Sequence, residues 1–496
     1  MIVTKITGIA VMSGVIACSS AFAQDGAGSQ NSESTKGTVF KGKAPVATEL
    51  LKVKFPKPKT YSLPNGAKVF ILEDHRLPSI RISIGMKAGA LLDTKPGVSE
   101  FTANMLNDGT KTKSYNQLSE AEEAIAAQLN AASSSEKTTL TASGLSEYTD
   151  QIIDLMSDVL MNPSFPQDRL DKLKSRNTQG LGQRRSNSAG LSADIVARTF
   201  YGKTPYARVA PTGDQIKAIT RDDIVGFYSK YYRPAGCVIG ITGDVDSKYV
   251  IAKLTESLKD WKSTDPEPSY PAADFKPKEA TKIWLIDRPG SAQTTLDFCN
   301  LAINRTDADY IPLVVANAIL GGGSSARLFQ NIREDKGYTY GAYSRLAAPK
   351  WLGTWSASAS VRTPVTEPAV AEFFKEFKRI QNEPVPVAEL DRAKRSIVGG
   401  FARTLESPDA VLSRALEIEE YGLPADYWDN YASKIQAVTP EDVARVSKKY
   451  LGEGRIQLVA VGERAKIEEG LKKFGPVEVV VPESVGAGGG GGRRGR

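Results

Sequence analysis

The chain has 496 residues, of which 41% are apolar and 24% charged, and a formal net charge of +7. That length exceeds one ordinary hydrophobic core and implies two or more domains, and the composition is that of a soluble globular protein. Four of the positive charges, Lys5, Arg493, Arg494 and Arg496, sit at the two ends. No central stretch shows the dense basic clusters that nucleic-acid binding needs, so no nucleic-acid partner is expected. His75 is the single histidine, which removes most zinc chemistry from this chain.

In chain order, Lys5 precedes an apolar stretch from Ile6 to Ala17, and Ala21-Phe22-Ala23 offers a small-x-small cleavage site. This is the layout of a secretory signal peptide over residues 1–23, so export, with a periplasmic destination, is expected. A competing reading takes Val15-Ile16-Ala17-Cys18 as a weak lipoprotein box with Cys18 as the lipid anchor. No later apolar stretch is long enough to span a membrane. Residues 24–50 form a polar lead-in rich in Ser, Gly and Lys.

A turn at Pro64-Asn65-Gly66 leads into a buried strand over Val69-Phe70-Ile71-Leu72 and an alternating one over Ile80-Arg81-Ile82-Ser83-Ile84. Helical spacing predicts helices over Ser119–Asn130, with alanines along one side, and over Tyr148–Met161. A strand over Val238–Asp244 comes late. His75, at a strand end after Glu73-Asp74, reads as a solvent-facing loop residue without a role.

Next the chain repeats itself. Asn162, Pro166, Leu170, Asp171 and Lys174 are matched by Asn382, Pro386, Leu390, Asp391 and Lys394 at a constant offset. Thr220, Asp223, Ile224, Lys230 and Tyr231 are matched, one residue closer, by Thr439, Asp442, Val443, Lys449 and Tyr450. Two blocks in the same order indicate a duplicated domain. The copies cover residues 51–261 and 279–482, with a proline-rich linker over 262–278 and a Gly/Arg tail over 483–496. Ile456–Gly462 is the late strand of copy two. Cys237 and Cys299 fall in strand-like runs of different copies and read as separate buried thiols. The fold class expected is α+β, two homologous domains, each a mainly antiparallel sheet covered by helices.

Several phrases in this frame carry a family resemblance: Leu63-Pro64-Asn65-Gly66, Pro205-Tyr206 before Thr212-Gly213, Gly243-Asp244, Arg288-Pro289-Gly290, the run Gly321 to Phe329, and above all Gly97 to Thr110. In their order the chain resembles the insulinase (pitrilysin-type) zinc peptidases, specifically the short two-domain branch. It is most similar there to non-catalytic subunits such as that of the mitochondrial processing peptidase. Where the family's inverted zinc motif has His, Glu and His, this chain has Glu100, Ala103 and Asn104. The position corresponding to the third metal ligand is Gly180. One carboxylate and one amide make a poor zinc site, and the general base is an alanine. Glu100 and Asn104 share a helical face. A polar surface lining an old cleft is the better reading for it than a weak oxygen-ligated ion.

The resemblance also implies which residues remain useful. The family's second domain places an arginine and a later tyrosine against substrate near the scissile bond, and these correspond to Arg333 and Tyr340. Leu328 to Arg333 reads as a helix stopped by Gly337, after which Tyr338 and Tyr340 alternate along a strand and face one side. Gly321, Gly322 and Gly323 lack the lysine of a phosphate loop; flexible backbone before a helix is the plainer reading, and a substrate-contacting loop the family-based one. What the resemblance implies is therefore half of a clam shell: a non-catalytic subunit without cofactor. It would bind peptides and pair with a homologous chain that carries the zinc motif and the zinc. The alternative is a catalytically inert scaffold on the same fold.

Overall fold

The computed structural model describes residues 51, 53–207 and 209–481. The expected signal peptide, the lead-in, Cys18 and the Gly/Arg tail lie outside them. Among the described residues, twelve strands form two six-stranded sheets. The first uses β1 (Lys59–Ser62), β2 (Lys68–Glu73), β3 (Ser79–Met86), β4 (Gln128–Ser133), β5 (Thr138–Leu145) and β6 (Val238–Gly243), in the order β1-β2-β6-β3-β5-β4. The second uses β7 (Lys282–Asp287), β8 (Gln293–Leu301), β9 (Thr339–Leu346), β10 (Thr354–Arg362), β11 (Gln457–Gly462) and β12 (Val477–Val480), ordered β12-β7-β11-β8-β10-β9. Each sheet is mainly antiparallel; the first has one parallel pair, β2 with β6, and the second has two, β7 with β11 and β12 with β7. The outermost place taken by β1 in the first sheet is filled by β12, from the far end of the chain, in the second.

Helices of the first copy are α1 (Val98–Asn104), α2 (Tyr115–Ala124), α3 (Thr149–Met161), α4 (Gln167–Ser186), α5 (Ser188–Tyr201), α6 (Gly213–Ala218), α7 (Arg221–Tyr231) and α8 (Ser247–Ser257). Those of the second are α9 (Tyr310–Gly321), α10 (Thr366–Asn382), α11 (Val387–Thr404), α12 (Pro408–Tyr421), α13 (Tyr431–Ala437), α14 (Pro440–Tyr450) and α15 (Arg464–Leu471). The architecture is α+β. Strand alternation explains which face is inside: Ile80, Ile82, Ile84 and Met86 of β3 are buried, with exposed or half-buried residues between them.

The repeated residues turn out to be structural. Thr220 with Asp223, and Thr439 with Asp442, are capping boxes that open α7 and α14. Pro166 and Pro386 precede α4 and α11, whose Leu170 and Leu390 enter the two cores. Lys174 Nζ donates to the Lys217 carbonyl, and Lys394 Nζ to that of Gln436, at 3.0 and 2.8 Å. The repeat thus preserves helix starts and the ties between helices.

The helix expected over Ser119–Asn130 requires correction. It is α2, which begins earlier and ends at Ala124; Ala126 turns the chain at φ 50°, and Gln128 opens β4 against β5. Alanine-rich spacing favours helix locally, but burial of Leu129 and a full ladder with β5 outweigh that preference.

The two copies cover each other. Helix α5, from the first, packs on β8 and β11 of the second sheet, where Leu191, Ile195 and Val196 meet Ile286, Val459 and Val461. Helix α12, from the second, packs on β2 and β6 of the first sheet. There a side chain at Gly240 would collide with Leu412, and Thr242 donates a 2.6 Å hydrogen bond to Asp409. The linker straps this junction. Asp265 pairs with the buried Arg233 at 2.8 Å, Tyr270 donates to the Glu136 carbonyl, and Phe275 packs edge-on against Tyr201 and Tyr206. Cys237 and Cys299 are free and buried, and burial raises both thiol pKa values. His75 lies exposed with Nδ1 2.6 Å from an Asp244 carboxylate oxygen.

Candidate functional site

Two regions matter, one in each copy. In the first, Gly97 starts α1 in the left-handed region at φ 96°, and the Asp93 carboxylate accepts from the Gly97 and Ser99 amides at 3.0 and 2.7 Å. Val98, Phe101, Thr102 and Ala103 turn inward, leaving Glu100 and Asn104 outside. Ala103 is packed in the core rather than facing the cleft. The Asn104 amide nitrogen donates to the Glu100 backbone carbonyl at 2.8 Å.

Glu100 and Gly180 line one cavity of about 1390 Å³, while Ala103 and Asn104 do not reach it. The α4 wall of that cavity is Arg176, Gly180 and Arg184, spaced four residues apart on one helical face. Arg198 and Lys203 add further cations. These residues do not fit zinc. A zinc site wants three protein donors, and this cavity offers two carboxylates, Glu100 and an Asp93 already engaged by the Gly97 and Ser99 amides, among guanidinium and ammonium groups that repel a divalent ion. Among the described residues, no group of three or more His, Cys, Asp or Glu could hold a metal.

In the second copy the chain leaves α9 through Gly321 and enters a π-helical turn over Phe329–Asp335. The helix expected from Leu328 is therefore wound one residue wider, a form that often marks functional sites. It stops at Gly337, φ 63°, whose amide donates to the Arg333 carbonyl. The turn is pinned from behind: Asn331 Nδ2 donates to Glu372 at 2.9 Å and to the buried Glu376 at 2.8 Å. Arg333 lies with its guanidinium 4.7 Å from the Phe329 ring centre and 3.5 Å from the Glu334 carboxylate, and remains 44% exposed.

Tyr338 and Tyr340 do not share a face, contrary to the alternation expected. Tyr338 precedes β9 and packs against the second core, whereas Tyr340 is 89% exposed. A register shift explains this. Ala359 of β10 pairs with Ala342 but Val361 pairs with Thr339, so Tyr340 and Gly341 stand opposite Ser360 alone. That extra residue is a β-bulge, which reverses the parity of the strand and directs Tyr340 away from the core. The Thr339 hydroxyl holds it, donating to the Ser360 carbonyl at 2.7 Å and accepting from the Gly341 amide at 3.2 Å. Arg333 and Tyr340 thus belong to two packed segments, the π turn and β9.

The glycine run divides by role. A Cβ on Gly321 would lie 2.4 Å from the Ser344 amide nitrogen, and one on Gly322 would lie 2.7 Å from the Ala318 Cα. Gly323 faces open space. Close packing of α9 on β9 therefore accounts for Gly321. Sequence reasoning missed Thr339, Asn331 and Glu376, which carry no local motif. It also missed Arg176 and Arg184, whose four-residue spacing around Gly180 was readable.

Comparison with known proteins fits this geometry. Residues 68–209 match the model described as "Insulinase (Peptidase family M16)", and residues 218–397 that described as "Peptidase M16 inactive domain". An uncharacterized zinc protease of Streptomyces coelicolor is 27% identical over 79% of this chain and 86% of its own length. The "Non-peptidase homolog YmxG" of Helicobacter pylori is 26% identical over 76% of this chain and 88% of its own. A solved M16 inactive domain from Pseudomonas fluorescens superposes with a TM-score of 0.76 at 26% identity, covering 82% of this chain and 98% of that one. The chain belongs to the insulinase family, M16. It is a non-catalytic member of that family.

Proposed function

We propose that this chain is the substrate-binding subunit of an exported, heterodimeric zinc peptidase. It gives Arg333 and Tyr340 to a cleft whose zinc and general base belong to a homologous partner. The observation that carries this reading is the bulge that presents Tyr340 to solvent, 89% exposed, beside a pinned turn bearing Arg333. A tyrosine so exposed contributes little to the core. Its phenol has no hydrogen-bond partner among the described residues and is free to donate to a developing oxyanion. Arg333 donates charge-assisted hydrogen bonds suited to a peptide carbonyl.

Co-expression with a zinc-motif homologue, followed by purification and peptide hydrolysis, tests this. A one-to-one complex that cleaves peptides, and in which Tyr340→Phe lowers kcat by about 10²–10³ with KM little changed, is the expected result. Absence of a complex, or activity indifferent to Arg333 and Tyr340, would replace this reading with an inert scaffold.

A further inference from the structure

The cavity of the first copy has lost its metal donors, yet it has not become neutral. Its α4 face carries Arg176 and Arg184 on either side of Gly180, and no atom lies within 4 Å of where a Gly180 side chain would begin. Arg184 is held by Asp194 at 3.0 Å. Arg176 and Lys203 are exposed and have no ion-pair partner among the described residues. Asp93 also lines the cavity, and its carboxylate accepts from the backbone amides of Gly97 and Ser99. Ser99, fully buried beside it, has a hydroxyl without a hydrogen-bond partner among the described residues. Cations grouped in a concave, partly apolar site concentrate anions there.

We propose that this cavity is a carboxylate-binding subsite for acidic peptide segments, with Arg176 and Lys203 as its principal contacts. A peptide is favoured because the 1390 Å³ space also offers apolar wall from Phe101, Leu181 and Ile216, which would suit side chains between the charges. The carboxylate can come from Asp or Glu side chains or from a C-terminus. The inference shares with the preceding reading only the premise that the ligand is a peptide.

Fluorescence anisotropy on the full chain, without any partner, tests it. Three labelled peptides serve: one rich in glutamate with an amidated C-terminus, its glutamine counterpart, and the glutamine peptide with a free C-terminus. The expected result is binding of the glutamate peptide tighter than its counterpart by about tenfold at low salt, weakening as salt screens the charges. That preference should disappear in R176Q/K203Q, whose exposed side chains can be replaced without loss of fold, as a circular-dichroism melt checks. A preference for the free C-terminus that the double variant abolishes supports the same subsite with a terminal carboxylate as ligand. Equal affinity for all three peptides, or a preference that survives R176Q/K203Q, overturns it. Hydrolysis with a partner probes Arg333 and Tyr340 instead, so the two readings fail separately.

Discussion

At the scale of single residues, Tyr340 and Gly321 show how one position can be decided by backbone geometry. The bulge that directs Tyr340 outward depends on the Thr339 hydroxyl, which bridges Ser360 and Gly341 across the irregularity. Thr339→Val keeps the β-branched shape and removes both bonds. It should lower stability by about 1 kcal/mol, read as a reduced denaturation midpoint, and should reduce the effect of Tyr340 on turnover in the reconstituted complex. The glycines allow a sharper contrast. Gly321→Ala forces a methyl against the Ser344 backbone and should cost about 1–3 kcal/mol, whereas Gly323→Ala meets nothing and should leave stability nearly unchanged. Comparable losses at both positions in thermal melts would contradict the packing account of Gly321.

Elements are tied by buried polar contacts, and these set the response to pH. Asp309, at the start of α9, is reached by Arg445 at 2.6 Å and by Lys449 and Tyr450 of α14 at 2.8 Å each. Burial works to raise its pKa, but the hydrogen bonds from Lys449, Arg445 and Tyr450 outweigh it and hold the carboxyl at about 2, against an ordinary 3.8. A depressed carboxylate stabilises the fold above its unfolded pKa and loses that contribution as pH falls through the folded one. The α9–α14 tie should therefore weaken between about pH 4 and pH 2. Asp309→Asn should melt lower at neutral pH and fall less steeply across that window. Behind the substrate turn, Asn331→Ala removes a donor from the buried Glu376, which keeps only Arg379 at 2.9 and 3.0 Å. A destabilisation of about 1–3 kcal/mol is expected from chemical denaturation.

For the whole molecule, the exchange of α5 and α12 makes each copy part of the other's structure. Separated at the linker, the second copy would expose Ile286, Val459 and Val461 to water, and the first would lose the cover of Leu412. Residues 51–261 and 279–482 expressed singly should be insoluble or bind hydrophobic dyes, and co-expression should restore a soluble pair. Two independently soluble halves would show that the exchanged helices are dispensable.

The sequence alone determined the α+β class, the duplication, most strands and the scarcity of histidine donors. These are properties of short windows or of residue identity: alternation in β3, capping residues at α7 and α14, and the absence of histidine from α1. Of the motif positions expected from the sequence, Glu100 and Gly180 line one cavity, while Ala103 and Asn104 do not reach it. Where α2 would end was not legible, because pairing with β5 competes with local helix preference. Nor was the outward direction of Tyr340, which follows from one extra residue opposite Ser360 on another strand. The convergence of Arg176, Lys203 and Glu100 on one cavity, and the exchange of α5 and α12 between sheets, were decided only by the tertiary structure. Both depend on contacts between segments far apart in the chain, and no window of sequence records which distant surface a helix will cover.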